Sequence, residues 1–176
     1  MASQSQTGVS SMVIDMLKKD HQKVKALFAE FENAKDSRIK QRIVETALME
    51  LDVHAKLEEG LVYPAIRPEI DDEDLMDEAL EEHHVVHVLI AELKKMKPSD
   101  DRFDAKFTVL AENVKHHIKE EESEMFPKAE ECDIDWETLE QQVMKRKEKL
   151  MAQTAGPSKN GNAKTSKKNS TGRKQR

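Results

Sequence analysis

Two stretches of this chain set an imidazole and a carboxylate one helical turn apart. His54-Ala55-Lys56-Leu57-Glu58-Glu59-Gly60-Leu61-Val62-Tyr63-Pro64 and His117-Ile118-Lys119-Glu120-Glu121-Glu122-Ser123-Glu124-Met125-Phe126-Pro127 both read His-x-x-x-Glu-Glu-x-x-x-aromatic-Pro. Residues four apart on a helix share a face, with Cβ atoms about 5–6 Å apart. His54 with Glu58, and His117 with Glu121, therefore present a nitrogen and an oxygen donor side by side. Each proline is expected to close its helix. Tyr63 and Phe126 read as plugs at the bundle end.

Donors of this kind need rigid supports, and the apolar pattern supplies four. A first helix is expected from Ser11, capped by Ser10 or Ser11. Its stripe is Ile14, Leu17, His21, Val24, Phe28, Phe31, at alternating spacings of three and four. A second runs from about Arg38 to Val62 along Ile43, Ala47, Leu51, His54, Glu58, Leu61. A third runs from about Glu73 to Lys97 along Met76, Leu80, His83, His87, Ile90, and Pro98 ends it. A fourth runs from about Asp101 to Met125 along Phe103, Phe107, Leu110, Val114, His117, Glu121, Met125. A shorter fifth, about Asp135 to Met151, carries Trp136, Leu139, Val143 and Leu150. Long helices with short connections predict an all-α, up-down-up-down four-helix bundle, with a short C-terminal fifth helix packed across it.

Composition agrees. Charged residues make up 36% of the 176 and aromatics only 4%, which favours a helical chain over a β-rich one. No apolar run approaches a membrane span. The uncharged start, Met1 to Ser10, lacks the features of a signal peptide. The single cysteine, Cys132, excludes an internal disulfide framework and fits a reducing cytoplasm. No acidic residue follows Glu148, and seven basic residues follow Gln153, which leaves 22 basic against 35 acidic residues elsewhere. The chain is thus an acidic body with a basic tail. The expected divisions are 1–10, a disordered N-terminus; 11–130, the bundle; 131–152, an accessory helix; and 153–176, a disordered basic tail. The tail has no interleaved aromatics for base stacking, so nucleic acid is at most a weak electrostatic partner.

Seven ionisable residues interrupt the apolar stripes: His21, His54, Glu58, His83, His87, His117 and Glu121. Buried groups of this type are costly unless paired or bound to metal. Mixed imidazole and carboxylate donors suit iron first, and admit manganese or zinc. If two metals share both carboxylates and a bridging oxygen, five histidines divide as three and two. One metal is then a ligand short, where a diatomic or peroxide can bind. Ferritin-like carboxylate bundles fit less well, because they use Glu-x-x-His pairs and more carboxylates. No His-Glu-x-x-His occurs to suggest a hydrolytic zinc site. His83 is preferred to its neighbour His84. Leu89, Ile90 and Leu93 follow His83 at the offsets at which Leu27, Phe28 and Phe31 follow His21. His84 and His116 then read as partly exposed neighbours.

At these residues, over roughly Val13 to Lys128, the chain resembles the hemerythrin-like proteins of the His-His-Glu cation-binding family. The resemblance implies two non-haem irons inside a four-helix bundle, bridged by two carboxylates and an oxygen. His83, His87 and His117 would hold one iron and His21 and His54 the other, with Glu58 and Glu121 bridging. The family's oxygen carriers place an Asp five residues after the last His; here Glu121 stands at four and Glu122 at five, a spacing usual in bacterial members. The implied function is reversible binding of O2 or a related ligand, NO or peroxide, for sensing, storage or protection. The alternatives are a peroxide-consuming enzyme and an iron-handling protein.

Overall fold

The computed structural model describes residues 10–154, and all regular structure among them is helical. The elements are α1 (Ser10–Asn33), α2 (Ser37–Leu57), α3 (Tyr63–Ile66), α4 (Glu73–Leu93), α5 (Phe103–Glu120), α6 (Phe126–Glu130) and α7 (Trp136–Thr154). Two π-helical segments interrupt the series, Glu58–Val62 between α2 and α3 and Glu121–Met125 between α5 and α6. Local chemistry starts the helices. Asp36 accepts from the backbone N–H of Arg38 and Ile39 at 2.8 and 3.1 Å, and Asp72 from that of Leu75 at 3.1 Å, which satisfies free donors of the first turns. Arg102 precedes α5 in the left-handed region, at φ 70°, so this helix begins at Phe103 rather than Asp101.

The prolines do not end their helices. The Tyr63 N–H bonds to the Glu58 carbonyl, and the Phe126 N–H to that of Glu121, five residues back instead of four. Each wide turn lets Pro64 and Pro127 fall in the first turn of a restarted α segment, where the missing N–H and fixed φ are harmless. The chain stays helical from Ser37 to Ile66 and from Phe103 to Glu130. The third predicted helix stops early, at Leu93, where Lys95 and Met96 bond three residues back at 3.0 Å. Pro98 disfavours helix at the residue before it, and the last turn tightens ahead of it.

α1, α2, α4 and α5 form the four-helix bundle. α1 packs on α2 and α5, and α4 packs on α5 and α2. The fifth helix expected from the sequence is α7, which spans 19 residues, reaches Thr154, and lies against α1, α2 and the first π segment. The expectations of disorder at 1–9 and 155–176 lie outside the described residues; residue 10 and residues 153–154 are helical. None of the described helices is long and apolar enough to cross a membrane.

The core is split in two. One apolar cluster gathers Val24, Phe28, Phe31, Phe103 and Phe107; the other gathers Leu17, Leu57, Tyr63, Ile66, Phe126 and Trp136. Between them runs a belt of buried ionisable residues, His21, His54, Glu58, His83, His117 and Glu121.

Candidate metal centre

Each of the four bundle helices contributes one imidazole to the belt. His21 and His54 face each other with Nε2 atoms 3.1 Å apart, and His83 and His117 with Nε2 atoms 3.0 Å apart. The outward nitrogens meet carboxylates. Nδ1 of His21 lies 2.8 Å from Glu122, that of His83 2.9 Å from Glu59, and that of His117 2.8 Å from Glu82. An Nδ1–H donated outward leaves the Nε2 lone pair pointing inward, the tautomer a metal requires.

The two predicted carboxylates tie the pairs together. Glu58 places Oε1 2.9 Å from His54 Nε2 and Oε2 3.4 Å from His83 Nε2. Glu121 places Oε2 3.3 Å from both His21 Nε2 and His117 Nε2. Each carboxylate therefore spans from one histidine pair to the other, which is a bridging arrangement. Among the described residues three sets of atoms lie close enough to hold a cation: two in the belt, those of His21, His54, Glu58 and Glu121 and those of Glu58, His83 and His117, and one outside it, around the exposed His116 with Glu82 and Glu120.

The donor set fits metal on a structural ground. Both Glu58 oxygens and Glu121 Oε2 are buried without a hydrogen-bond partner, and an uncompensated buried carboxylate is among the costliest groups in a protein interior. A cation between the histidine pairs would satisfy all three oxygens. Without one, protons supply the balancing charge. Burial alone would pull the His54 imidazole down; the Glu58 carboxylate, joined by Asp20 and Glu121, outweighs it and pushes His54 up to about 10. Burial likewise opposes charge on His117, and Glu121 beside it holds its imidazole well above the usual range. Burial pushes Glu58 and Glu121 up, and Glu121 repels Glu58 further, yet His54 holds Glu58 below its ordinary value and His117 holds Glu121 well below it. Two anions face two imidazolium groups, which is the charge balance a bound cation would replace.

Of the seven residues predicted on the stripes, six converge and His87 does not. The buried positions of α4 are Met76, Ala79, His83, Val86, Ile90 and Leu93. Leu80 and His87 each lie one position past that stripe, and His87 is half-buried behind Glu59, with Nε2 2.7 Å from Glu59 Oε1. The preference for His83 over His84 agrees with the structure: His83 is buried in the belt and His84 is exposed. His116 is exposed as well, beside Glu82 and Glu120.

The residue that the stripes missed is Tyr63. Its hydroxyl donates to Glu121 Oε1 at 2.7 Å and lies 3.3 and 3.4 Å from Nε2 of His83 and His117. Burial, then the anionic Glu121 and Glu58, push the phenol well above its ordinary value, so it stays a neutral donor. On α-helical spacing, a residue five after Glu58 points away from it. The π segment closes its ring from residue 58 to 63 and stacks Tyr63 over Glu58. Its twin Phe126 stands five after Glu121 and stacks on His21, with ring centroids 5.9 Å apart and planes 9° from parallel. The repeated aromatic-Pro ending was the available signal; π geometry is what gives it meaning. A polar aromatic thus closes the His83–His117 half of the site and an apolar one the His21–His54 half.

Residues 12–129 match the family model of the hemerythrin HHE cation binding domain. A protein of Nostoc sp. (strain PCC 7120 / SAG 25.82 / UTEX 2576) described as a DNA nickase is 32% identical over 115 residues, which are 64% of this chain and 32% of that protein. The chain thus spans about a third of that relative's length, and the nickase description is that of the longer protein. A crystal structure of a hemerythrin HHE cation binding domain-containing protein from Mycobacterium kansasii superposes with a TM-score of 0.66 at 22% identity, covering 81% of this chain and 91% of that one. That likeness speaks for the fold. With more than half of the chain matched and the His/Glu belt at the centre of the bundle, this protein belongs to the hemerythrin HHE cation-binding family.

Proposed function

We propose that the chain holds two non-haem irons in the belt and reversibly engages O2 or a related small ligand, NO or peroxide, for sensing, storage or protection. His21 and His54 would hold one iron and His83 and His117 the other, with Glu58 and Glu121 shared between the two and the Tyr63 hydroxyl donating to Glu121. The observation that carries this reading is the bridging geometry itself, with three buried carboxylate oxygens that have no hydrogen-bond partner. An iron pair bound there would supply the electrons and Lewis acidity by which small oxygen and nitrogen ligands are held.

The protein's own groups set the conditions. Glu122, Glu59 and Glu82 orient His21, His83 and His117 from outside. Beside the histidines lies a cavity of about 20 Å³, walled by Val24, Leu51, Val86, Val114 and Ile118. That volume holds about one water-sized molecule, so ligands of a few atoms are favoured over larger ones. Phe126 offers no polar atom where Tyr63 offers a hydroxyl, so the two halves of the site are chemically unequal.

Azide titration of the iron-loaded, oxidised protein tests the reading. One azide per pair of irons is expected, with a saturating charge-transfer band. No binding, or two equivalent azides, would overturn the asymmetry. Tyr63 also favours a second reading, peroxide consumption, because its hydroxyl is a proton donor inside the site. Sustained iron-dependent O2 release from peroxide, abolished by Tyr63→Phe, would select the enzyme over the binding protein.

A further inference from the structure

α7 lies beyond residues 12–129, the segment that matches the family model, yet one of its side chains reaches a carboxylate beside the belt. Lys147 places Nζ 2.6 Å from both carboxylate oxygens of Asp20. Asp20 in turn sets Oδ2 3.6 Å from His54 Nδ1. The other three belt histidines have a carboxylate oxygen at 2.8 or 2.9 Å from Nδ1, whereas His54 Nδ1 is buried without a hydrogen bond. Asp20 therefore stands where Glu122, Glu59 and Glu82 stand for the others, but is gripped from behind by a cation. Two contacts to one ammonium fix the rotation of the carboxylate, and a released aspartate at the rim of the bundle would turn to water.

The grip depends on α7. Val143 and Leu150 flank Lys147 one turn away on either side and are 0% and 6% exposed, so the ammonium sits where the docked helix puts it. The arrangement is also one-sided. Behind the His21–His54 pair stand Lys147, on Asp20, and Lys25, 3.5 Å from Glu122. Behind the His83–His117 pair stand His87, on Glu59, and His116, 3.5 Å from Glu82.

We infer that Lys147 is a positioning residue of the metal centre: it holds Asp20 against the His54 imidazole, so that docking of α7 governs retention of the metal bound by His21 and His54 and leaves the other metal alone. The inference rests on the di-metal reading above. Orienting partners of ligating histidines are worth about 10–100-fold in metal affinity.

The test is release of iron to a colorimetric chelator from the full chain, after anaerobic loading with iron(II) and elemental analysis. Wild type that retains no iron would sink the di-metal reading and this inference with it. With two irons loaded, Lys147→Met should release one of them at least about 10-fold faster and the other at the wild-type rate. Lys147→Arg should restore slow release. Asp20→Asn, which serves also if the Met variant does not fold, should show the same selective phase, and the double variant should release no faster than either single one. Val143→Ala, which loosens the docking of α7 but keeps the ammonium, should speed release of the same iron and leave the other at the wild-type rate. Release of both irons at wild-type rates in Lys147→Met, equal acceleration of both irons in Lys147→Met or in Val143→Ala, or tighter retention would each overturn the inference.

Discussion

Stripping the metal should make the protein's stability depend on pH in the alkaline range. Protons on His54 and His117 then balance Glu58 and Glu121. His54 sits at about 10 in the folded chain, against about 6.5 for an unfolded histidine. A raised folded value contributes stability that is complete below the unfolded value and is lost as pH climbs through the folded one. The gap is worth about 5 kcal/mol in full, of which about half disappears between pH 7 and pH 9. His117 is displaced in the same direction and adds to the loss. Urea titration reads this directly: at about 1–3 kcal/mol per molar, the midpoint of the chelator-stripped protein should fall by about 1 M between these pH values. In the iron-loaded protein, the cation replaces both protons and the midpoint should hold nearly constant over the window. A stripped protein whose midpoint stays flat or rises from pH 7 to pH 9 would refute the claim that protons stand in for metal in the belt.

Tyr63→Phe removes the donor to Glu121 Oε1 and should cost the stripped protein about 1–3 kcal/mol, measured by the same urea titration. Elemental analysis should give two irons per chain in wild type, one in His83→Ala, and two in both His84→Ala and His87→Ala. Gly60→Ala should be tolerated and can stabilise by up to about 1 kcal/mol, because a Cβ at Gly60 meets nothing within 4 Å; thermal melts decide this.

Much of this architecture was legible in advance. The three-four alternation located the four bundle helices, and the histidines and glutamates that broke it located six members of the belt. Those residues are readable because burial makes ionisable groups anomalous on an apolar stripe. His87 misled because it stands one turn from His83, and one-turn spacing does not say on which side of the stripe a residue falls. The stripe of α4 steps to Val86 instead. Tyr63 was hidden for another reason: its place follows from a turn of different width, and the proline beside it suggested a helix end. Asp20 and Lys147 were unreadable from pattern alone, since they are 127 residues apart and meet only once α7 has docked.

The two π segments carry a consequence for how the chain tolerates insertion and deletion. Each amounts to one residue more than an ideal α-helix would use. Deleting Gly60, or Ser123 in the twin, would restore α-helical hydrogen bonding and give a locally better helix. It would also rotate everything downstream by about 100° about the helix axis, carrying Tyr63 off the carboxylates in one case and Phe126 off His21 in the other. It would set each proline back among helix-interior positions as well. A single-codon loss there is thus at once a gain in local backbone regularity and a disassembly of the site. The surplus residue in each half sets the place of one closing aromatic, and neither copy can be trimmed alone without unbalancing the two halves.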